Sequence, residues 1–424
     1  MKRSDFIRHS GFFTFSLFAP FIHNLARASG RSNPVILIVS GWQDINIGDI
    51  AHTPGLLHLL QTYLPESRLI LWKRTYGEEV RSLLNRNFPS VRIIYGSVDG
   101  NGITASRDVL EAFSEADIMI HGSGPSLVGA SNLACWAKAT GKPYGAFGVT
   151  LQNPPEDHIE ILSKASFIFT RETLSIDHLK KAGIEGSHIA FAPDATFFLN
   201  IRDDTRCGKF MSDHKLEDRK FICVIPRLRY TPYHRINPGN NGWSDEKIRS
   251  VEETNRKYAE KDHAKLREAM ITWVRETENK IVVCPEMTYE VSIMDELLID
   301  PLPADVRVKV VKHDYWFPDE AASLYSKAHT LLSFECHSPI IAAAAGTPMI
   351  YLRQPEDTIK GQMYYDLRLN ENVFEIESTS GRQIAGRLMD FYHDYDRSRK
   401  SIGMSLNLVK EYYDKAIGIL KKFL

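Results

Sequence analysis

The residues best suited to acid–base chemistry occur in one short loop, residues 333–339, between an apolar strand-like run and an apolar helix-like run. Pro339 fits the first turn of a helix and Ser338 fits its cap, so we expect His337 at a helix N-terminus facing a cleft. The positive end of a helix disfavours an imidazolium, which predicts a neutral ring able to exchange a proton with a hydroxyl near pH 7. A structural histidine is the alternative. Cys336 is a weaker nucleophile candidate, because the sequence shows no base and orienting group around it.

An earlier loop, residues 40–49, separates the first predicted strand from a helix expected to begin near Thr53. Gly48 allows the backbone to approach a ligand, and a helix N-terminus offers amide donors to an anion. Asp49 fits either a ligand contact or a helix N-cap. Asn46, Gly48 and Asp49 are therefore candidate substrate-binding residues.

A second glycine-containing turn follows the predicted strand that ends at Ile120. Gly122, Ser123 and Gly124 form a run of amide donors suited to phosphate, carboxylate or sugar hydroxyls. Tight packing of a strand-to-helix turn explains the same glycines equally well. His121 beside them is more typical of a structural histidine.

The elements that must position these loops alternate regularly along the chain. From Asn33, short apolar runs rich in β-branched residues are separated by helix-like segments. Strands buried on both faces are typical of parallel sheets covered by helices, so we predict two doubly wound, Rossmann-like α/β lobes. In such folds the active site lies at the carboxyl ends of the strands, here in a cleft between the lobes. The predicted segments are an N-terminal lobe at 29–200, a linker at 201–219, a C-terminal lobe at 220–382 with an inserted loop at 227–261, and a helical segment at 383–424.

The first 28 residues resemble an export signal. Arg3–Arg8 is similar to a twin-arginine motif with a serine in place of the second arginine, and Gly11–Ile22 is apolar but too short for a stable membrane anchor. Ala26 and Ala28 supply the small residues that a signal peptidase recognises. We expect an exported mature chain in the periplasm or cell envelope, with no stable membrane anchor. An uncleaved helix on a cytoplasmic chain is the alternative.

Composition narrows the choice of partners. Lysine plus arginine number 52 and aspartate plus glutamate 53, a balance that argues against nucleic-acid binding. The five cysteines are scattered and include no C-x-x-C pair, which argues against a zinc site or a disulfide framework. We therefore predict no nucleic-acid partner and no obligatory metal.

Taken in order, the loops resemble the polysaccharide pyruvyl transferase family over most of the chain after the signal. Four motifs carry the similarity. Asn46–Asp49 is similar to N-x-G-D, and Asp117–Leu127 is similar to D-x-x-I-x-G-G-G-x-L with Ser123 in place of a glycine. Arg171–Ser175 and Pro193–Phe197 are similar to a block of R-D-x-x-S and D-P-A-F with the proline and aspartate transposed, and the segment from His337 through Pro348 is similar to R-x-H-x-x-x-x-A-x-x-x-G-x-P.

The resemblance implies a fold like that of the type B glycosyltransferases. It also implies transfer of an enolpyruvyl-derived group from phosphoenolpyruvate to two hydroxyls of one sugar, giving a cyclic ketal and phosphate. Phosphoenolpyruvate would be a substrate, with no cofactor, and the acceptor would be a cell-surface polysaccharide or another sugar. His337 would be the catalytic acid or base. Arginines would bind the donor's phosphate and carboxylate through bidentate contacts; the candidates are Arg171, Arg227, Arg229 and Arg353.

Glu335 departs from the family pattern, because it occupies the position of an arginine two residues before the histidine. A carboxylate beside an anionic donor repels it. Two alternatives therefore stay open: a glycosyltransferase-like enzyme that uses a nucleotide sugar, and an exported, non-catalytic glycan-binding protein. Glu335 and Ser338 complete the set of candidate substrate-binding residues.

Overall fold

The structure, a computed structural model, describes residues 33–239 and 242–424, so the predicted export signal lies outside it. The N-terminal lobe is a seven-stranded parallel sheet in the order β3-β2-β1-β4-β5-β6-β7. Its strands are β1 Val35–Ser40, β2 Arg68–Lys73, β3 Arg92–Ile94, β4 Ile118–His121, β5 Tyr144–Val149, β6 Phe167–Thr170 and β7 Ile189–Phe191. Its helices are α1 Ile47–Tyr63, α2 Glu78–Asn87, α3 Arg107–Glu115, α4 Ala130–Thr140, α5 Glu156–Ser163, α6 Thr173–Lys181 and α7 Asp204–Asp213, with a 3-10 helix at Ala195–Phe198.

The C-terminal lobe contains a six-stranded parallel sheet in the order β10-β9-β8-β11-β12-β13. Its strands are β8 Phe221–Ile225, β9 Lys280–Val283, β10 Val310–Lys312, β11 Thr330–Ser333, β12 Met349–Arg353 and β13 Val373–Glu375. Its helices are α8 Tyr233–Ile236, α9 Asp245–Thr277, α10 Ala304–Arg307, α11 Pro318–Lys327, α12 His337–Ala344, α13 Gln362–Asp366, α14 Gly381–His393 and α15 Tyr395–Leu420. Short helical turns lie at Thr288–Ser292, Asp295–Ile299, Pro355–Gly361, Asn370–Asn372 and Lys421–Phe423.

The prediction of two doubly wound α/β lobes is confirmed. Strands β1, β4, β5, β8 and β11 are buried along their whole length, as expected for sheets covered by helices on both faces. Within the described ranges, each helix is too short or too polar to cross a bilayer.

Two segments predicted as irregular contain helices. The stretch 201–219 includes α7, and the stretch 227–261 includes α8 and the first half of α9. Helix α9 begins at Asp245, where the Ser244 side chain accepts a hydrogen bond from the Lys247 amide at 3.2 Å. The prediction of a loop is therefore wrong from this cap onward, because the polar residues belong to the solvent-facing side of a long helix.

Helix α1 begins six residues earlier than expected, at Ile47 rather than near Thr53. Its N-cap is Asn46, whose Oδ1 accepts hydrogen bonds from the amides of Gly48 at 2.7 Å and Asp49 at 3.2 Å. Asp49 is thus in the first turn and is not the cap. The first turns of α1 are buried on all sides, so they lack the one-sided apolar pattern by which a surface helix is recognised.

The lobes are in direct contact around this helix. The Ile47 amide donates to the Glu286 carbonyl at 2.9 Å, and the Thr288 amide donates to the Ile45 carbonyl at 3.0 Å. At the end of the chain, α15 returns to the N-terminal lobe and packs on β6 and β7. The interlobe boundary is therefore closed around the start of α1.

Candidate active site

His337 is the first residue of α12 and lies at the boundary between the lobes. His337 is 7% exposed, so its ring is enclosed by protein groups. The expectation that it faces an open cleft is therefore wrong. Ser338 is not a side-chain cap, since no side chain caps this helix. Instead, the Ser338 amide donates to Glu286 Oε2 at 2.6 Å, so a carboxylate takes the place of the expected cap.

Both ring nitrogens of His337 have close partners. Nδ1 is 3.2 Å from Glu286 Oε1 in the C-terminal lobe. Nε2 is 3.0 Å from His52 Nε2 and 3.5 Å from Arg171 Nη1, both in the N-terminal lobe. Asp194 Oδ2 lies 3.2 Å from His52 Nε2 and accepts from Arg171 Nη1 at 2.9 Å. The site is therefore a buried row, Glu286–His337–His52–Asp194, with one guanidinium beside it.

The prediction of a neutral His337 is wrong. Burial lowers the pKa of this imidazole, but the Cys336 sulfur and the Glu286 carboxylate outweigh burial and raise the pKa well above its ordinary value. Burial likewise raises the pKa of Asp194, yet His52 and Arg171 hold it well below the usual range. The Cys336 sulfur and the Glu286 carboxylate thus outweigh both burial and the unfavourable positive end of the helix dipole. The shift of the pKa favours the protonated form of the ring over the neutral form that the sequence predicts.

Two close approaches position the row. A Cβ added at Gly48 would lie 2.4 Å from the His337 ring, so glycine lets α1 pack directly against it. Gly55, two turns later, lies against the Ala195 carbonyl, which a Cβ would approach to 2.2 Å. Asp194 caps the 3-10 helix that follows it, its Oδ1 accepting from the Thr196 amide at 3.0 Å. Helix α1 is therefore held between both halves of the site.

Glu335, the residue in place of the family arginine, faces a positive group. Its Oε1 is 2.9 Å from Arg227 Nε, and Arg227 Nη1 also contacts Asp357. Burial raises the pKa of Glu335, while the Arg227 guanidinium opposes that rise. The charge that repels an anionic donor is thus partly balanced inside the C-terminal lobe.

Two of the candidate arginines are held away from the row by other carboxylates. Arg229 donates to Asp262 Oδ2 at 2.8 Å and to Glu377 Oε1 at 2.9 Å. Arg353 donates to Glu375 Oε1 at 2.8 Å. Among the four candidates, Arg171 is the one whose guanidinium contacts His337.

The glycine-containing turn after β4 uses its amides within the protein. Gly122 N donates to a β1 carbonyl at 2.9 Å, and Gly124 N donates to the Gly148 carbonyl at 3.4 Å. Ser123 Oγ accepts from the Ala195 amide at 3.2 Å, so this turn supports the segment that carries Asp194. The geometry favours the packing alternative over an anion-binding nest.

His121 is a structural residue in this arrangement. Its Nε2 accepts from the Gly129 amide at 2.9 Å, which places the proton on Nδ1, 2.7 Å from the Gly122 carbonyl. The ring stacks on Trp42 with centroids 4.6 Å apart. Complete burial lowers the pKa of His121 to about 3, so it stays neutral.

Three groups of the row could also bind a metal. Donor atoms of His52, Asp194 and His337 lie within 4.8 Å of one another, which is compatible with a transition-metal site. However, Arg171 already donates to the Asp194 oxygen that would be the ligand. A guanidinium therefore takes up much of the negative charge that a cation needs.

Sequence reasoning missed three members of the row. His52 lies four residues after Gly48, one helical turn along the same face, but the helix was expected to begin after it. Asp194 was part of a motif without being chosen as a site residue. Glu286 follows β9 by three residues, at the carboxyl edge of the second sheet. Its position just after the carboxyl end of a strand is the sequence feature that could have identified Glu286 as a site residue.

The two facing parallel sheets and the site enclosed between them define a protein of the type B glycosyltransferase fold. Among solved structures, Anabaena Alr3699/HepE in complex with UDP-glucose is 11% identical, with 92% of this chain and 98% of that chain covered and a TM-score of 0.56. The E. coli ADP-heptose lipopolysaccharide heptosyltransferase II is 12% identical, with 85% and 99% covered and a TM-score of 0.52. The putative UDP-N-acetylglucosamine 2-epimerase from Listeria monocytogenes is 12% identical, with 89% and 94% covered and a TM-score of 0.54.

Sequence comparison identifies the family. The model of the polysaccharide pyruvyl transferase family matches residues 46–354, most of the chain, and the chain belongs to this family. Comparison with curated proteins gives no match. The matched region contains all four groups of the row.

Proposed function

We propose that this protein transfers a pyruvyl group from phosphoenolpyruvate to two hydroxyls of one sugar in a cell-surface polysaccharide, forming a cyclic ketal and releasing phosphate. The observation that carries the proposal is the buried His337 ring held between Glu286, 3.2 Å from Nδ1, and Arg171, 3.5 Å from Nε2. The enol carbon of the donor must accept a proton, and an imidazolium with a raised pKa is suited to give it. Family membership supports the same reaction.

Arg171 and Glu286 suit two further requirements of the reaction, which are binding the anionic donor and orienting the His337 ring. The guanidinium of Arg171 can pair with the carboxylate or phosphate of the donor, because its fork matches either group. Glu286 holds the His337 ring through Nδ1, which leaves Nε2 as the nitrogen that faces the N-terminal lobe. Because the ring is 7% exposed, the donor reaches it only when the lobes part, and their closure then excludes water.

Phosphate release tests the proposal directly. Purified protein with phosphoenolpyruvate and an acceptor glycan should release inorganic phosphate, and His337→Ala should slow release by a factor of about 10² to 10⁴, the usual contribution of a general acid. His393→Ala, at an exposed histidine at the end of α14, is the matched control and should keep the wild-type rate. Equal rates in wild type and His337→Ala would contradict the assignment.

A nucleotide-sugar donor is the second candidate. Glu335 stands where the family has an arginine that would attract a small anion, and the structurally similar Anabaena protein is described in complex with UDP-glucose. Thermal unfolding with each donor separates the two: phosphoenolpyruvate should raise the midpoint and UDP-glucose should not. The opposite result supports a glycosyltransferase. If a glycan alone stabilises the protein, a non-catalytic glycan-binding role follows.

We also propose that the first 28 residues direct export to the periplasm or cell envelope. The supporting observation is the basic, apolar and small-residue order of this segment. N-terminal sequencing of the protein recovered from cell fractions should give a chain that begins at Ser29. A cytoplasmic protein that begins at Met1 would contradict this proposal.

A further inference from the structure

His52 is a buried histidine whose contacts converge on the proposed catalytic ring. We propose that His52 is a positioning residue that shares a single proton with His337 between their Nε2 atoms, so that the pair serves as acid in one step and as base in the next. The catalytic part rests on the proposed function, but the sharing of the proton does not and can be tested without any activity.

The distance between the rings sets an upper limit on the number of protons. The two Nε2 atoms are 3.0 Å apart, and the ring planes meet at 74°. Two nitrogens at this distance form a hydrogen bond only if one carries the proton and the other offers its lone pair. A proton on each Nε2 would direct two N–H groups at each other, in a place where His52 is fully buried.

The surrounding charges set the lower limit. Asp194 lies 3.2 Å from His52 Nε2 and Glu286 lies 3.2 Å from His337 Nδ1, while Arg171 supplies one positive charge. A pair of neutral rings would leave the carboxylates in excess in a buried place, which is costly. One shared proton reduces that excess. The titratable and charged groups that face the two rings are Asp49, with Oδ1 3.9 Å from His52 Nδ1, Arg171, Asp194, Glu286 and Cys336, with Sγ 3.6 Å from His337 Nδ1.

The two rings come from different lobes. His52 is on α1 and His337 begins α12, so the pair forms when the lobes close. His52 is fully buried and its Nε2 meets His337 Nε2, so we assign it a role in positioning the proton of His337 rather than in contacting the substrate. Asp194 Oδ2 lies 3.2 Å from the same Nε2 atom of His52 that faces His337, so its negative charge stabilises a proton held between the two rings.

The protons balance over the whole transfer. With the donor between the parted lobes, the pair gives its proton from His337 Nε2 to the enol carbon, which becomes the methyl group. The first sugar hydroxyl forms a bond to the neighbouring carbon, and its proton returns to the pair. The bond from that carbon to the phosphate oxygen then breaks, the second hydroxyl forms the second bond, and its proton leaves on the phosphate. The pair ends with the one proton with which it began.

Nuclear magnetic resonance of ring-labelled histidines tests the shared proton without substrate. In the wild type, the ring signals of His337 should change in two coupled steps, since interacting groups show macroscopic pKa values that belong to the pair. In His52→Gln, His337 should titrate in one step. His58→Gln, on the same helix and partly exposed, is the matched control and should leave the coupled steps unchanged. A single independent step for His337 in the wild type would overturn the proposal.

Two further measurements distinguish the shared proton from a purely structural role of His52 and from a metal site. The amide of His52→Gln can accept a hydrogen bond but cannot carry the proton, so kcat should fall about 10- to 100-fold with KM for phosphoenolpyruvate unchanged, and one limb of the pH profile should be lost. Thermal unfolding of the variant checks that it is folded. If the isolated protein carries one equivalent of a transition metal, and His52→Gln loses it, the row is a metal site and the proposal is wrong. If the coupled steps are seen but no phosphate is released, the proposed function fails while the shared proton stands.

Discussion

Arg227 is the residue on which the charges around Glu335 depend. Its guanidinium contacts Glu335 on one side and Asp357 on the other, and all three side chains are at least nine-tenths buried. These carboxylates raise the pKa of Arg227 well above its usual range, against the effect of burial. Removing one member of such a group leaves an uncompensated charge in the interior, which costs more than the intact group contributes.

Arg227→Gln is therefore expected to lower the free energy of unfolding by about 3–5 kcal/mol. Arg353→Gln is the matched control, because the side chain of its partner Glu375 is 42% exposed and the loss should be under about 1 kcal/mol. Denaturant titration of the two variants gives both values. Adding Glu335→Gln to Arg227→Gln should recover part of the loss. Equal losses in the two single variants would show that the burial of Arg227, Glu335 and Asp357 does not affect the free energy of unfolding.

Among single residues, sequence motifs identify some side chains of the site and miss others. His337 and Arg171 stand in motifs; His337 is in the row, and Arg171 lies beside it. Arg229 and Arg353 were chosen by residue type alone, and each pairs with a carboxylate elsewhere in the C-terminal lobe. The protonation of His337 depends on Glu286, 51 residues away in sequence, and no local pattern contains such a contact.

Among the elements, α1 determines how closely the site is packed. It carries glycines at two contacts, and its first turns are buried between the lobes. The start of this helix was misplaced because burial on all sides removes the periodic pattern, whereas the strands were found because continuous apolar runs mark buried strands. The first half of helix α9 was missed for the opposite reason, because its highly charged sequence has few of the apolar residues that mark a packed helix and so resembled a loop.

Gly55→Ala should lower the free energy of unfolding by about 1–3 kcal/mol, the usual cost of forcing atoms into a packed interior. The added Cβ would meet the backbone carbonyl of Ala195 at 2.2 Å, and a backbone atom cannot rotate away as a side chain can. Gly403→Ala, within α15 and with open space around its Cβ, is the control and should stabilise the protein by about 0.5–1 kcal/mol. Thermal or denaturant unfolding distinguishes the two signs. A neutral or stabilising Gly55→Ala would mean that α1 is not held against this segment.

For the whole molecule, buried acids and buried histidines change the free energy of unfolding in opposite directions as the pH changes. Burial lowers the pKa of His121 to about 3, and that of His263 and His329 to about 4. Their contribution to stability is present above the unfolded pKa near 6.5 and is lost as the pH falls towards these values. Burial raises the pKa of Glu172 to about 7, and it also raises the pKa of Glu290. The contribution of these acids is present below the unfolded pKa near 4.3 and is lost as the pH rises.

Between pH 4.5 and 6.5 the two sets therefore act with opposite signs, so the free energy of unfolding of the wild type should change less with pH than either set alone would cause. Glu172→Gln removes one raised acid while keeping the shape of its protonated form, so this variant should lose stability relative to wild type as the pH falls, by about 1.4 kcal/mol per pH unit. His329→Gln removes one depressed histidine and should show the reverse slope of similar size. Denaturant titrations at pH 4.5, 5.5 and 6.5 measure both slopes. Parallel curves for the two variants would show that these groups titrate alike in the folded and unfolded chains, and the opposition between buried acids and buried histidines would then be wrong.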